Sequence, residues 1–354
     1  MDYVLKHRPD DFIVDEISNV RFLDKGPFLL CTLKKTDFDQ QRAVRSIAER
    51  LNIPIKSIGF AGTKDKKAIT SQVISMKGVS RDKIEQLRIR DIELTFLGYS
   101  DQPVNLGFLE GNRFKIVVRK LPEEFRLRKI PENIIFPNYF GEQRFSKNNV
   151  AIGKHIIHGD LKAACDMIIE SDPHADKLKD FLFQRKNDYA GALKSVIPQK
   201  TLKMYVHSVQ SYIFNEVLAR YMRAHLKPNE YSEHESSYGK LVFPNQNSIE
   251  KISQKFTTIP ILGFGSELGD DPISELVSQI AKELGITDRD FIIRKMPEIS
   301  SEGSLRDAFT STDKLSAEIS QDEVLGGRKA TLSFCLGKGS YATIAVESFL
   351  TSFE

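Results

Sequence analysis

The sequence predicts an α+β protein in which a sheet domain is built from both ends of the chain and another domain is inserted between them. Three observations predict it. Runs of β-forming residues dominate both ends, and helix-type periodicities are interspersed between them. The length, 354 residues, also exceeds the roughly 100–200 that one core usually holds.

Taken in order, Phe12-Ile13-Val14 and Phe28-Leu29-Leu30-Cys31-Thr32-Leu33 are short apolar runs rich in β-formers, the latter bounded by Gly26-Pro27. A helix is expected over Gln40–Leu51. Val44, Ile47, Ala48 and Leu51 recur at i, i+3, i+4 and i+7, Asp39 can cap the start, and Pro54 lies just past the end. The loop Gly59-Phe60-Ala61-Gly62-Thr63-Lys64-Asp65-Lys66-Lys67-Ala68 follows. Strand character resumes at residues 70–75, 92–99 and 114–118. In the second half, Ser208 can cap a helix carrying Val209, Ile213, Phe214, Val217 and Tyr221 on one side. Asp271-Pro272 makes an N-cap and N1 pair for a helix with Ile273, Leu276, Val277, Ile280 and Leu284, and Gly285 is placed to stop it. The tail returns to strand at residues 330–336, turns at Gly337-Lys338-Gly339 and closes with a helix over about residues 342–350.

Hydrophobic residues make up 40% of the chain and charged residues 28%, enough for both a core and a hydrated surface. No run approaches the roughly 20 apolar residues that cross a bilayer. The opening Met1-Asp2-Tyr3-Val4-Leu5-Lys6 lacks a signal-peptide pattern, so no membrane association is expected. Cys31, Cys165 and Cys335 are far apart and form no C-x-x-C pair, which argues against a disulfide framework or zinc ribbon and suits a reducing cytoplasm. The net charge of +3 is small but unevenly spread. Residues 56–90 hold nine Lys/Arg against three acids, and residues 111–130 hold seven (Arg113, Lys115, Arg119, Lys120, Arg126, Arg128, Lys129) against two. Residues 261–291 reverse this, with seven acids against two bases. Such a distribution is compatible with a phosphate-facing surface on one side, and equally with solvated charge on ordinary elements.

The loop at Gly62-Thr63-Lys64-Asp65 carries the most chemistry. Glycines permit close approach of backbone or ligand. Lys64, Lys66 and Lys67 flank a carboxylate that they would keep ionised, as a nucleophile or base requires. The same tetrapeptide also fits a solvated, charged turn. It is not a phosphate-binding P-loop, because two residues rather than four separate Gly59 from Gly62 and Thr precedes Lys; a nucleotide hydrolase fails at that spacing. Asn138-Tyr139-Phe140-Gly141-Glu142-Gln143-Arg144-Phe145 interleaves aromatics with an amide and an arginine, as a base-stacking pocket or an aromatic-anchored turn would. Gly263-Phe264-Gly265-Ser266-Glu267-Leu268-Gly269 has one residue too many for a dinucleotide loop. His155 and His158 share helical spacing without the partners of a metal site, so no metal is expected.

Residues 59–72 resemble the signature of the TruD family of pseudouridine synthases, in which a G-x-K-D-[KR]-x-A-x-T-x-Q pattern holds the catalytic aspartate. Further segments match in the family's order: Asp11-Phe12-Ile13-Val14, residues 107–114, Asn138-Tyr139-Phe140-Gly141-Glu142-Gln143-Arg144-Phe145, and residues 333–343. Ser211-Tyr212-Ile213-Phe214-Asn215 also fits a helix of the family's inserted domain. These span nearly the whole chain, whereas residues 152–302 otherwise offer little to match. The resemblance implies a pseudouridine-synthase catalytic domain with a mixed, largely antiparallel sheet, formed by residues 1–149 and 303–354, plus an inserted α/β TRUD domain at 150–302. It implies isomerisation of uridine in tRNA, by default at uridine 13, with no cofactor or metal. Asp65 is then the catalytic carboxylate, which attacks the sugar at C1′ or takes a sugar proton. Phe140 packs on the flipped base, Asn138 positions the loop or the carboxylate, and Phe12 and Phe334 line the pocket, though both also suit a sheet core. Lys64 pairs with Asp65 or a phosphate, and Arg113, Lys115 and Arg119 contact the RNA backbone. A monomer is favoured. The competing reading is a non-catalytic RNA-binding module, which explains the basic segments and aromatics but gives Asp65 no purpose.

Overall fold

The computed structural model describes residues 3–126, 131–146 and 148–352. The chain first forms β1 (Phe12–Ile17), β2 (Phe28–Thr36), helix α1 (Gln40–Leu51), β3 (Ile58–Phe60) and β4 (Ile69–Lys77). Helix α2 (Arg81–Gln86), β5 (Ile92–Ser100) and β6 (Gly111–Leu121) follow. Next come β7 (Ile135–Pro137) and the helices α3 (Asn149–Ile157), α4 (Leu161–Ser171), α5 (Ala175–Gln184), α6 (Tyr189–Val196) and α7 (Gln199–His225). The hairpin β8 (Tyr231–Ser236) and β9 (Gly239–Pro244) precedes α8 (Gln246–Ser253), β10 (Thr258–Ile261), α9 (Pro272–Leu284), β11 (Ser304–Asp307) and β12 (Phe309–Ser311). The chain closes with β13 (Asp313–Gln321), β14 (Arg328–Gly337) and α10 (Ala342–Ser352).

The described residues divide into two compact units. One holds residues up to 134 together with 311–342, and the other holds 135–310 together with 343–352. The divisions expected from the sequence fall after 149 and 302. The difference lies in what the segments bond to. Asn138 is tied to Asp307 and Arg306, and Phe140 to Asn215, so residues 135–149 and 303–310 belong with the helical unit.

The first unit is an eight-stranded sheet in the order β13-β14-β6-β1-β4-β2-β5, with β3 also on β4. The β1–β4 pairing is parallel and the other pairings described in it are antiparallel, so the sheet is mixed and largely antiparallel, as the resemblance implies. Alternation along the strands decides what each face carries. Leu29, Cys31 and Leu33 of β2 and Ile74 and Met76 of β4 pack with Ala43, Val44, Ile47 and Ala48 of α1 in one buried cluster. The helix ends are those read from the sequence. The Asp39 side chain accepts from the Arg42 amide, and Asn52, in the left-handed conformation, terminates the last turn. Across β1, β6 and β14 the register aligns Val14 with Phe114 and Phe114 with Phe334.

In the second unit α7 is the central helix, buried along most of its length. It corrects one sequence expectation. Ser208 does not cap a helix; it lies inside α7, and its hydroxyl donates back to the Tyr205 carbonyl at 2.6 Å. The helix begins nine residues earlier, at Gln199, because Leu202, Tyr205 and Val206 are buried and hold those additional turns. The expected α9 is present with its cap: Asp271 accepts from the Ile273 and Ser274 amides, and Gly285 adopts a left-handed φ of 69° at the end. No helix among the described residues is long and apolar enough to cross a membrane.

Candidate active site

The loop from β3 to β4 carries Asp65 at the same end of the sheet as the start of β1. Its entry is fixed by close packing. A Cβ on Gly59 would stand 2.3 Å from the Val104 carbonyl oxygen, so only glycine fits there. Gly62 is different, since a Cβ would meet only the Lys64 ammonium at 3.9 Å. The loop is instead tied from outside: Gln72 Nε2 donates to the Gly62 carbonyl at 3.2 Å, and the Gly107 amide donates to the Ala61 carbonyl at 2.9 Å.

Three lysines surround Asp65. Lys6 Nζ donates to Asp65 Oδ2 at 2.8 Å and stands 4.1 Å over the ring of Phe12. Lys35 Nζ donates to the main-chain oxygen of Asp65 at 2.6 Å. Lys64 departs from its expected role. Its side chain is buried and its Nζ lies 2.6 Å from Glu16 Oε2, so it offers no exposed charge to a phosphate and its ion-pair partner is Glu16 rather than Asp65. The Asp65 side chain keeps 25% of its surface exposed. A partly exposed carboxylate can attack an electron-poor carbon or accept a proton.

The aromatic residues beside it form a row. Phe12 meets Phe114 edge-to-face at 6.1 Å, and Phe114 stacks on Phe334 at 5.5 Å. Phe12 and Phe334 are each 2% exposed, so both are packed sheet residues, with Phe12 in contact with the Lys6 ammonium that holds Asp65. Arg113 and Lys115 project from β6 and are exposed. Arg119 is not a surface cation. It is buried, donating through Nε and Nη2 to Asp11 and through Nη1 to Asp322 at 2.8 Å, and these bonds raise its pKa against the opposing effect of burial. Contrary to expectation, it is buried away from any RNA backbone. Arg128 and Lys129 lie outside the described residues.

Asn138 and Phe140 belong to the other unit. Asn138 is buried; its Nδ2 donates to the Asp307 carbonyl at 2.9 Å and its Oδ1 accepts from Arg306 Nη2 at 2.8 Å. The main chain of Phe140 is clamped by Asn215, whose Oδ1 accepts from the Phe140 amide at 2.9 Å and whose Nδ2 donates to its carbonyl at 3.0 Å. The half-buried Phe140 ring meets Phe214 edge-to-face at 5.4 Å and lies 4.1 Å below the Arg306 guanidinium. Tyr139 is fully buried, and its hydroxyl donates to the Val242 carbonyl.

Sequence reasoning missed Lys6, Glu16, Lys35 and Arg306. Lys6 is 59 residues from Asp65, and only strand pairing brings it near. Lys35 had a legible signal, since it takes the inward position after Leu29, Cys31 and Leu33. Among the described residues no group of three or more His, Cys, Asp or Glu side chains could hold a metal ion. His155 lies 3.5 Å from Asp160, a single carboxylate.

Comparison with known proteins adds a second line of observation. The family model for tRNA pseudouridine synthase D (TruD) matches residues 1–181 and 175–349. A tRNA pseudouridine synthase D from Aquifex aeolicus is 32% identical, over 99% of this chain and 99% of its own. A Methanosarcina mazei protein named "Probable tRNA pseudouridine synthase D" is 32% identical over 98% of this chain and 92% of its own. A crystal structure of a Methanosarcina mazei TruD protein superposes with a TM-score of 0.68 at 29% identity, over 98% of this chain and 92% of that one.

Proposed function

Since the chain belongs to the TruD family of tRNA pseudouridine synthases, we propose that it isomerises uridine 13 of tRNA to pseudouridine, with Asp65 as the essential carboxylate. The observation that carries this reading is the Asp65 carboxylate, partly exposed and held at 2.8 Å by Lys6, at the aspartate position of the family's loop pattern. In the reaction N1–C1′ breaks, the base turns, and C5 joins C1′ while the C5 proton is lost and N1 gains one. No outside reactant enters the balance. Asp65 acts at the sugar, either on C1′ or on a sugar proton.

The target base must leave its stack to reach such a carboxylate. The family's pattern assigns Phe140 to the flipped base; within its own unit that ring is backed by Arg306 and Phe214, and Asn138 holds the strand that carries Arg306. Phe12 lies under the Lys6 ammonium, and Phe334 backs it through Phe114. Arg113 and Lys115 meet the phosphate backbone. In this reading the first unit is the catalytic domain, the second is the family's inserted domain, and the protein works as a cytoplasmic monomer.

The test is Asp65→Asn, assayed by mapping pseudouridine in tRNA and by tRNA binding. Product formation should fall by at least about 10³-fold while affinity stays within a few fold. A variant that still forms pseudouridine at the normal rate would sink the assignment. Loss of neither product nor affinity on removing the aromatic and basic residues would favour neither this reading nor an RNA-binding module.

A further inference from the structure

One buried cation beside Asp65 has no part in the chemistry described above. Lys35 is 0% exposed, and its Nζ donates to the Asp65 main-chain oxygen at 2.6 Å. Burying an ammonium is costly unless it does something there. Its place in the sheet explains how it is buried. It continues the inward row Leu29, Cys31, Leu33 of β2 at the end where α1 begins. The row turns polar at that point. Thr70 lies directly across the strand pair from Lys35, and Gln72 is the next residue on the same face of β4. The Thr70 hydroxyl, Gln72 Oε1 and both amide atoms of Gln40, the first residue of α1, are buried without a hydrogen-bond partner among the described residues. None of these atoms bonds the Lys35 ammonium, whose hydrogen-bond partner among the described residues is the Asp65 main-chain oxygen.

We propose, on the reading that Asp65 is the catalytic carboxylate, that Lys35 is a positioning residue whose buried ammonium pins the Asp65 main chain in its reactive placement. It touches no substrate. It acts through the backbone of the residue that does.

The groups facing Lys35 determine when it carries its charge. Burial lowers its pKa most, Lys64 lowers it further, and Asp65, Asp39 and Asp37 raise it, leaving it at about 8. The ammonium is therefore present below that pH and lost as pH rises through it. The neutral amine donates a weaker bond to the Asp65 carbonyl.

The experiment compares the full-length wild type, Lys35→Met, Lys35→Gln and Asp65→Asn on tRNA. For Lys35→Met, kcat should fall by about 10- to 100-fold while the KM for tRNA stays within about threefold. Wild-type kcat should decline as pH rises through about 8, and both Lys35 variants should lack that decline. Thermal unfolding of each variant separates loss of fold from loss of placement. Should Lys35→Met fail to fold, the wild-type profile and Lys35→Gln still decide. Wild-type kcat that stays level from pH 7 to 9, an alkaline decline that persists in Lys35→Gln, or a Lys35→Met enzyme with normal kcat each overturns the proposal. An inactive Asp65→Asn beside a fully active Lys35→Met rejects the role of Lys35 alone, whereas an active Asp65→Asn rejects both it and the reading it rests on.

Discussion

Arg119 joins two carboxylates that are distant in sequence. Its guanidinium binds Asp11 just before β1 and Asp322 in the turn between β13 and β14, all three side chains being buried. Burial by itself would push both carboxyls up. For Asp11 the bonds from Arg119 and the Arg8 amide outweigh it, and for Asp322 the Val324, Lys120 and Leu325 amides do so together with Arg119, so both end below the ordinary value of 3.8. A carboxyl lowered on folding contributes stability that is present above its unfolded pKa and lost as pH falls through the folded one. Arg119→Met should cost about 3–5 kcal/mol in urea unfolding at neutral pH, because two buried charges lose their partner, and the acid slope of stability should shrink. The folded fraction should bind tRNA as the wild type does. A selective loss of affinity without loss of stability would return Arg119 to the RNA surface.

At the scale of elements, the two glycines of the Asp65 loop play unequal parts. Gly59→Ala places a methyl against the Val104 backbone, which cannot move without disturbing the segment between β5 and β6. A cost of at least about 1–3 kcal/mol is expected in thermal or urea unfolding. Gly62→Ala meets only the flexible end of Lys64 and has no left-handed φ to strain, so its effect on stability should stay under about 1 kcal/mol. Equal losses at both positions would mean that the loop is held by something other than the Val104 contact. The same contrast explains what sequence pattern can locate. Asp39, Asp271 and Gly285 bound their helices through bonds within a few residues, and they were legible. Ser208 has the chemistry of a cap, but the burial of Leu202, Tyr205 and Val206 carries α7 past it.

For the whole molecule, charge matters through where the sheet exposes it rather than through its sum of +3. On β6, Arg113 and Lys115 face solvent while Phe114 and Ile116 between and beyond them face the core. If these two cations meet phosphates, replacing both with Gln should weaken tRNA binding across sequences and lower the slope of log affinity against log salt by about 2. An unchanged slope would remove them from the RNA surface. The chain crosses between the two units several times.

By itself the sequence determined the α+β class, the helices whose ends are capped locally, the Asp65 loop and the family to which its ordered motifs belong. Each of these depends on residues a few positions apart or on a fixed linear pattern. Tertiary structure alone decided which groups touch. Lys6 and Lys35 reach Asp65 from 59 and 30 residues away, Lys64 pairs with Glu16 rather than with its neighbour, and Arg119 pairs inward with acids 108 and 203 residues distant. A lysine or arginine reads alike in sequence whether it will meet a carboxylate, a backbone oxygen or water. Strand order and register bring those partners together, and a basic segment reveals neither.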